Sequence, residues 1–275
     1  MFREASIQYV DCPAKPGKGR CMQFRLPVAT ATALLTLVIS VPTIGATIDF
    51  SPATTVSSDN DVDASGALVG AYIMNNPVNA TEINDVTFTQ FSTRGNTSTD
   101  GNVTISFPNG GDYGGFGTGA PGTPWANLSQ EYQALLTNGY YAGTSTATVV
   151  LNNLNNGDTY QVEIWVNDSR NEAGTGYGRT ETVSGDPGGT DATLTYDVGE
   201  PENTDGGVGQ FTIGTFEASG NSQTINFAAS ALAEINGLEI RDVSSVPEPS
   251  VLSVLTAGGF VLLAKRRARR PTGRS

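Results

Sequence analysis

The chain has 275 residues, no histidine, two cysteines and a formal net charge of −12. Residues 47–245 hold four basic and 24 acidic residues, a net charge of −20, because the other basic residues sit at the two ends. A surface of that sign repels nucleic acid and anionic membrane, and the lack of histidine removes Ser-His-Asp and Cys-His catalysis and histidine-rich zinc sites.

Residues 1–46 read as an extension followed by an export signal. Residues 1–21 have no apolar period and contain both Cys12 and Cys21. Starting at Met22 instead gives a signal of ordinary length, within the usual span of about 15–30 residues. Arg25 supplies its basic start, residues 26–44 form the apolar run, and Gly45 and Ala46 are the small residues at which a signal peptidase cuts. The strongly apolar part is shorter than the roughly 20 residues that a spanning helix needs. The exported chain then holds no cysteine, so disulfides and thiol chemistry are not available to it.

Residues 47–245 alternate short Thr- and Val-rich runs with Gly- and Asn-rich turns, which predicts a single all-β domain with one short helix. Val86 and Phe88 mark a strand within residues 83–91, and Val103, Ile105 and Phe107 mark another. Ala147, Val149 and Leu151 share one face of residues 146–154. In residues 159–166, Tyr160, Val162, Ile164 and Val166 point one way and Gln161, Glu163 and Trp165 the other. Leu194, Tyr196 and Val198 form the next strand. Phe211, Ile213 and Phe216 change parity after Gly214, which predicts a bulge there. Ile225 with Phe227 and Leu238 with Ile240 complete the set. The helix is expected over residues 129–136, with Leu128, Tyr132, Leu135 and Leu136 on one face and Asn138-Gly139 ending it. Residues 109–124, 184–190 and 199–207 read as loops.

No catalytic signature stands out. There is no Gly-x-Ser-x-Gly elbow, and the glycine-rich stretch lacks the Gly-Lys-Ser/Thr ending of a phosphate loop. The chain is read as non-enzymatic, with no cofactor apart from a candidate structural calcium. For calcium, Asp59, Asp61 and Asp63 alternate in a loop, but Ala64 stands where an EF-hand needs glycine and Gly70 where it needs glutamate; a solvated acidic loop is the competing reading. For a ligand, strand parity places Trp165 opposite the core residues. An exposed ring there could stack on a sugar, with Asn167, Asp168 and Arg170 as polar partners; a second small core beneath the helix or a loop is the competing reading.

Two resemblances add to this. The segments Val149-Val150-Leu151-Asn152-Asn153-Leu154, Gly157-Asp158-Thr159-Tyr160, Val162-Glu163-Ile164-Trp165-Val166-Asn167-Asp168, Gly209-Gln210-Phe211-Thr212-Ile213-Gly214-Thr215-Phe216 and Ile235-Asn236-Gly237-Leu238-Glu239-Ile240 resemble galactose-binding-like modules of secreted bacterial proteins. That likeness implies a single jelly-roll-like β-sandwich over residues 47–245; the two ends add an expected N-terminal signal helix and a C-terminal hydrophobic sorting helix on either side of it. In residues 246–275, Val246, Pro247, Glu248 and Pro249 precede an apolar run over 251–264 and a basic cluster of Lys265, Arg266, Arg267, Arg269 and Arg270. This order closely resembles the PEP-CTERM sorting tail. It implies handling by the general secretion machinery and signal peptidase, an inner-membrane-anchored precursor, recognition by an exosortase-type membrane protease, and delivery to the cell surface or beyond, among extracellular polysaccharide. The expected role is an exported, carbohydrate-associated module; a purely structural acidic matrix protein and a glycoside hydrolase stay open as alternatives.

Overall fold

The structure, a computed structural model, describes residues 45–75, 80–92, 95–114, 122–169, 178–199 and 206–244. The apolar run before Gly45, read above as a signal, and residues 245–275, which hold the expected Pro-Glu-Pro motif and basic cluster, lie outside the described residues. In chain order the strands are β1 (Ile48–Phe50), β2 (Thr54–Thr55), β3 (Ala67–Met74), β4 (Ala80–Ile83), β5 (Val86–Phe91), β6 (Thr97–Asp100), β7 (Val103–Ser106) and β8 (Gly111–Tyr113). The helix α1 (Gln130–Thr137) follows. Then come β9 (Gly139–Tyr141), β10 (Thr146–Asn152), β11 (Thr159–Val166), β12 (Thr180–Asp186), β13 (Gly189–Thr190) and β14 (Ala192–Thr195). The last are β15 (Gln210–Glu217), β16 (Ser222–Ala229), β17 (Glu234–Ile235) and β18 (Gly237–Asp242).

These strands form a β-sandwich with one helix. The larger sheet has the order β13-β1-β15-β11-β18-β3-β5-β4, with β2 also on β15; the smaller has the order β14-β12-β16-β10-β7-β6. A third sheet, β17-β9-β8, is a small ribbon. Pairing is antiparallel except for β1 with β13 and β3 with β5.

Alternation explains the main core. Tyr160, Val162 and Ile164 of β11 face Val149 and Leu151 of β10 and Ile225 and Phe227 of β16 across the sandwich, all buried. Aromatic contacts run through it: Tyr160 stacks on Phe216 at 5.8 Å between centroids, and Tyr72 meets Phe91 edge-on at 5.4 Å.

The other face of the larger sheet is covered too. Ala71, Ile73, Phe88, Trp165 and Phe211 pack there against Tyr132, Leu135 and Leu136 of α1 and against Val56 and Val62. The helix begins where the sequence predicts, since the Ser129 hydroxyl accepts from the Tyr132 amide at 3.1 Å. Its end is held by side chains from the sheet. The Leu136 carbonyl accepts from the amides of Asn167 at 3.1 Å and Asn236 at 2.9 Å, and Asn236 also donates to the Asn138 carbonyl. Carbonyls that a helix end leaves without partners are thereby satisfied in the interior.

Several expectations are corrected. No bulge follows Gly214: β15 pairs with β11 without a register shift from Gln210 to Glu217. Phe211 and Ile213 lie on the helix-covered face and Phe216 in the main core, so two apolar faces mimic a change of parity. The stretch 109–124 is not wholly irregular, because β8 pairs with β9 there. Glycines permit that close pairing: a Cβ on Gly139 would lie 2.2 Å from the Tyr113 ring, and one on Gly111 3.0 Å from the Tyr141 hydroxyl. The stretch 184–190 holds the end of β12 and all of β13.

Candidate functional site

Trp165 points opposite to Tyr160, Val162 and Ile164, as its parity requires, but it is not exposed. Its relative exposure is 0%, its Nε1 donates to the Tyr132 hydroxyl at 2.9 Å, and its ring meets Phe88 edge-on at 5.6 Å. The helix covers this face, so the competing reading, a second small core beneath the helix, holds and the ring has no surface on which a sugar could stack. Asn167 is fully buried as well; besides capping α1, its backbone amide donates to Asn236 Oδ1 at 2.7 Å. Arg170 lies outside the described residues.

Asp168 belongs to a buried ionic cluster at the end of the sandwich. Arg179 Nη1 donates to Asp168 Oδ2 at 3.3 Å, and Nη2 donates to Glu234 Oε1 at 2.6 Å and to the Leu232 carbonyl at 3.0 Å. The guanidinium lies 4.8 Å from the centre of the Tyr196 ring. Glu181 Oε2 accepts from the Glu234 amide at 2.9 Å and from the Tyr196 hydroxyl at 3.1 Å. Burial pushes the Glu181 carboxyl well above the usual range. Arg179 is then the cation set against Asp168 and Glu234. The cluster rivets the chain after β11 to the start of β12 and to β17. Every member is buried, so it presents no side chain to a large ligand.

The three aspartates proposed for calcium are not brought together. Asp59 Oδ1 accepts from the Ser129 hydroxyl at 2.5 Å. Asp61 accepts from the amides of Ser57 and Ser58 at 2.5 and 2.9 Å. Asp63 accepts from the Ser65 amide at 2.8 Å and from Gln161 Nε2 at 2.6 Å. Each carboxylate has different partners: Asp59 is bonded to the cap of α1, Asp61 to the loop's own backbone, and Asp63 to both the loop and β11. Among the described residues no group of three or more Asp, Glu, His or Cys could hold a metal ion.

Beneath that loop lie Glu163 and Glu239, partners across β11 and β18 and both 1% exposed. Asp63 N donates to Glu163 Oε2 at 3.2 Å, and Arg241 pairs with Glu239 while its Nη1 reaches the Ser65 carbonyl at 3.2 Å. Burial pushes Glu239 up to about 7 despite Arg241, and pushes Glu163 well above its usual value, with the neighbouring Glu239 and Asp63 adding to the effect. A paired carboxyl of this kind could serve acid–base chemistry only in a cleft, and here the loop seals it.

What the described surface does offer is the outer face of the smaller sheet. Most of its outward side chains are Thr and Ser, since Val103, Ile105, Ala147, Val149, Leu151, Ile225 and Phe227 take the inward positions. Register aligns them in rows. One row crosses five strands as Thr97, Ser106, Thr148, Asn226 and Ser184. The next runs Thr99, Thr104, Val150, Thr224 and Asp186, and a shorter one runs Thr146, Ala228, Thr182 and Thr193. Within these three rows Asp186, at one rim, is the sole charged residue. The sequence carries a sign of this face: threonines recur two apart, at 97 and 99, 146 and 148, 180 and 182, and 193 and 195. Their alignment into rows depends on strand order, which the spacing does not contain.

No protein-family model matches the chain, and no curated protein matches it. A solved structure from work on the structural basis for the promiscuous specificity of carbohydrate-binding modules of the β-sandwich superfamily is 13% identical, with a TM-score of 0.14. It covers 56% of this chain and 71% of that one. At that TM-score the likeness carries no argument about site or ligand. Among the described residues no helix is long and apolar enough to cross a membrane.

Proposed function

We propose that this chain is an exported, non-enzymatic module that associates with carbohydrate outside the cell. The observation that carries the carbohydrate half is the hydroxyl-bearing face of the smaller sheet, charged in its three rows only at Asp186, on a domain that is otherwise strongly acidic. Hydroxyl groups both donate and accept, and threonine adds a methyl, so such a face suits hydroxylated neutral ligands better than ions. The domain's described arginines, Arg179 and Arg241, are both buried in ion pairs, so neither is presented to an anionic partner. Export and sorting rest on residues 22–46 and 246–275 and their resemblance to a signal peptide and a PEP-CTERM tail. Exosortase-type processing near Pro247-Glu248-Pro249 would leave the sandwich at the surface or free in the matrix. The test is retention of the purified chain on immobilised polysaccharides at physiological salt, beside an uncoated support. Retention on at least one polysaccharide is expected; retention on none would overturn the carbohydrate half.

A further inference from the structure

We infer that the outer face of the smaller sheet is the binding surface, and that its ligand is a flexible, neutral polysaccharide chain laid across the strands along the Thr97–Ser106–Thr148–Asn226–Ser184 row. This deepens the carbohydrate reading above and rests on it. Three features of the face point this way.

The first is how its hydroxyls are used. At both sides of the sheet they pair with one another. Thr97 and Ser106 lie 3.2 Å apart, Thr99 and Thr104 2.9 Å, and Thr182 and Thr193 3.1 Å. Asn152 Nδ2 donates to Thr104 Oγ1 at 3.1 Å. Between these pairs, the side chains of Thr148, Thr224 and Asn226 on β10 and β16, and of Ser184 at the β12 end of the long row, make no hydrogen bond among the described residues, and each is half-buried. Most rim hydroxyls are internally satisfied, whereas the central side chains and Ser184 are free to bond a ligand.

The second is charge. The domain carries 24 acidic residues, yet only Asp186 enters the three rows. An anionic polymer would gain no cation here and would meet the field of the rest of the domain. A neutral polymer meets neither penalty, and its hydroxyls complement the threonine, serine and asparagine groups in both directions.

The third is shape. Strands lie about 4.8 Å apart, so a five-strand row spans about 19 Å, room for roughly four sugar rings. Neighbouring strands are rotated by about 20–25°, so a row turns by close to a right angle from end to end. A rigid, planar lattice such as crystalline cellulose or ice cannot follow that turn. A flexible chain can, and several individually weak contacts then add along it, so affinity should rise with chain length.

The experiment measures binding of the full chain to three soluble neutral polymers (a β-1,3-glucan, a galactomannan and dextran), to alginate as an anionic polymer, and to crystalline cellulose and ice. Thr148→Glu places a charge at the centre of the long row, and Thr215→Glu places one at an exposed site on the other sheet. Binding to at least one neutral polymer is expected, weakened about tenfold or more by Thr148→Glu and unchanged by Thr215→Glu. The double variant Thr148→Val, Thr224→Val keeps strand preference while removing two hydroxyls; it is expected to weaken binding with an unchanged melting temperature, and it decides the matter if Thr148→Glu fails to fold. Equal binding by these variants would place the contact elsewhere, and the general carbohydrate reading would survive. Binding only to alginate would remove the neutral ligand, and binding only to cellulose or ice would remove the flexible chain. Conversion of a dimer to a monomer by Thr148→Glu, with polymer binding intact, would make the face a self-association surface and overturn the inference.

Discussion

Trp165 shows how far parity reaches at the scale of single residues. Alternation along β11 assigns its direction correctly, but direction does not say what lies in that direction. Trp165→Ala is expected to destabilise the domain by about 3–5 kcal/mol, read as a large fall in melting temperature, because it empties a site packed by Phe88, Phe211 and Tyr132. Trp165→Phe should cost less, about 1–3 kcal/mol, chiefly through the lost bond to the Tyr132 hydroxyl. Asn167 and Asp168 were legible as special positions at the end of a strand, yet their partners Leu136 and Arg179 come from other parts of the chain, and spacing does not reveal such meetings. The buried acids make a prediction in pH. Glu163, Glu181 and Glu239 all hold their protons more tightly in the folded chain than the ordinary value of 4.5. The stability linked to them is therefore complete below about pH 4.5 and is lost as pH rises, through about 7 for Glu239. The melting temperature should fall between pH 5 and pH 8, and Glu163→Gln should flatten the slope without abolishing it. A melting temperature that rises over that range would contradict this account.

Among the elements, α1 was the easiest to read and the most consequential. Its cap and its apolar face are local, so the sequence places it to within a residue. Its docking is not local: Asp59 accepts from the capping Ser129, while Asn167 and Asn236 hold the other end. Ser129→Ala should therefore destabilise by about 1 kcal/mol or somewhat more, because the change removes the cap and also strips Asp59 of its partner. Thermal melts of Ser129→Ala and Asp59→Asn, singly and together, test this; the double variant should cost less than the sum of the singles. Strands with one clear apolar face, β10 and β11, were legible as well. β3 and β12 were not, since glycine or buried Glu181 interrupts their pattern, and the short β1, β2, β13 and β17 hold too few residues to show alternation.

On the scale of the whole molecule, two ends frame one sandwich, and the tail makes a prediction in mass. If the resemblance to the PEP-CTERM tail holds, intact-mass measurement of protein recovered from outside the inner membrane should find no residues beyond about Pro249; a mass that includes Arg266–Arg270 would point to a permanent anchor. The strand order has a further consequence, one of timing. β18, the last strand before the tail, is not an edge: it lies between β11 and β3 in the middle of the larger sheet. β1, the first, waits for β13 and β15, more than 130 positions away. Contacts so distant in sequence form late, so the emerging chain cannot close its larger sheet until residue 242 has arrived. A chain cut short of that point lacks a central strand, not a dispensable fringe. The sandwich thus checks its own length: what folds is a chain that has been read through to residue 242.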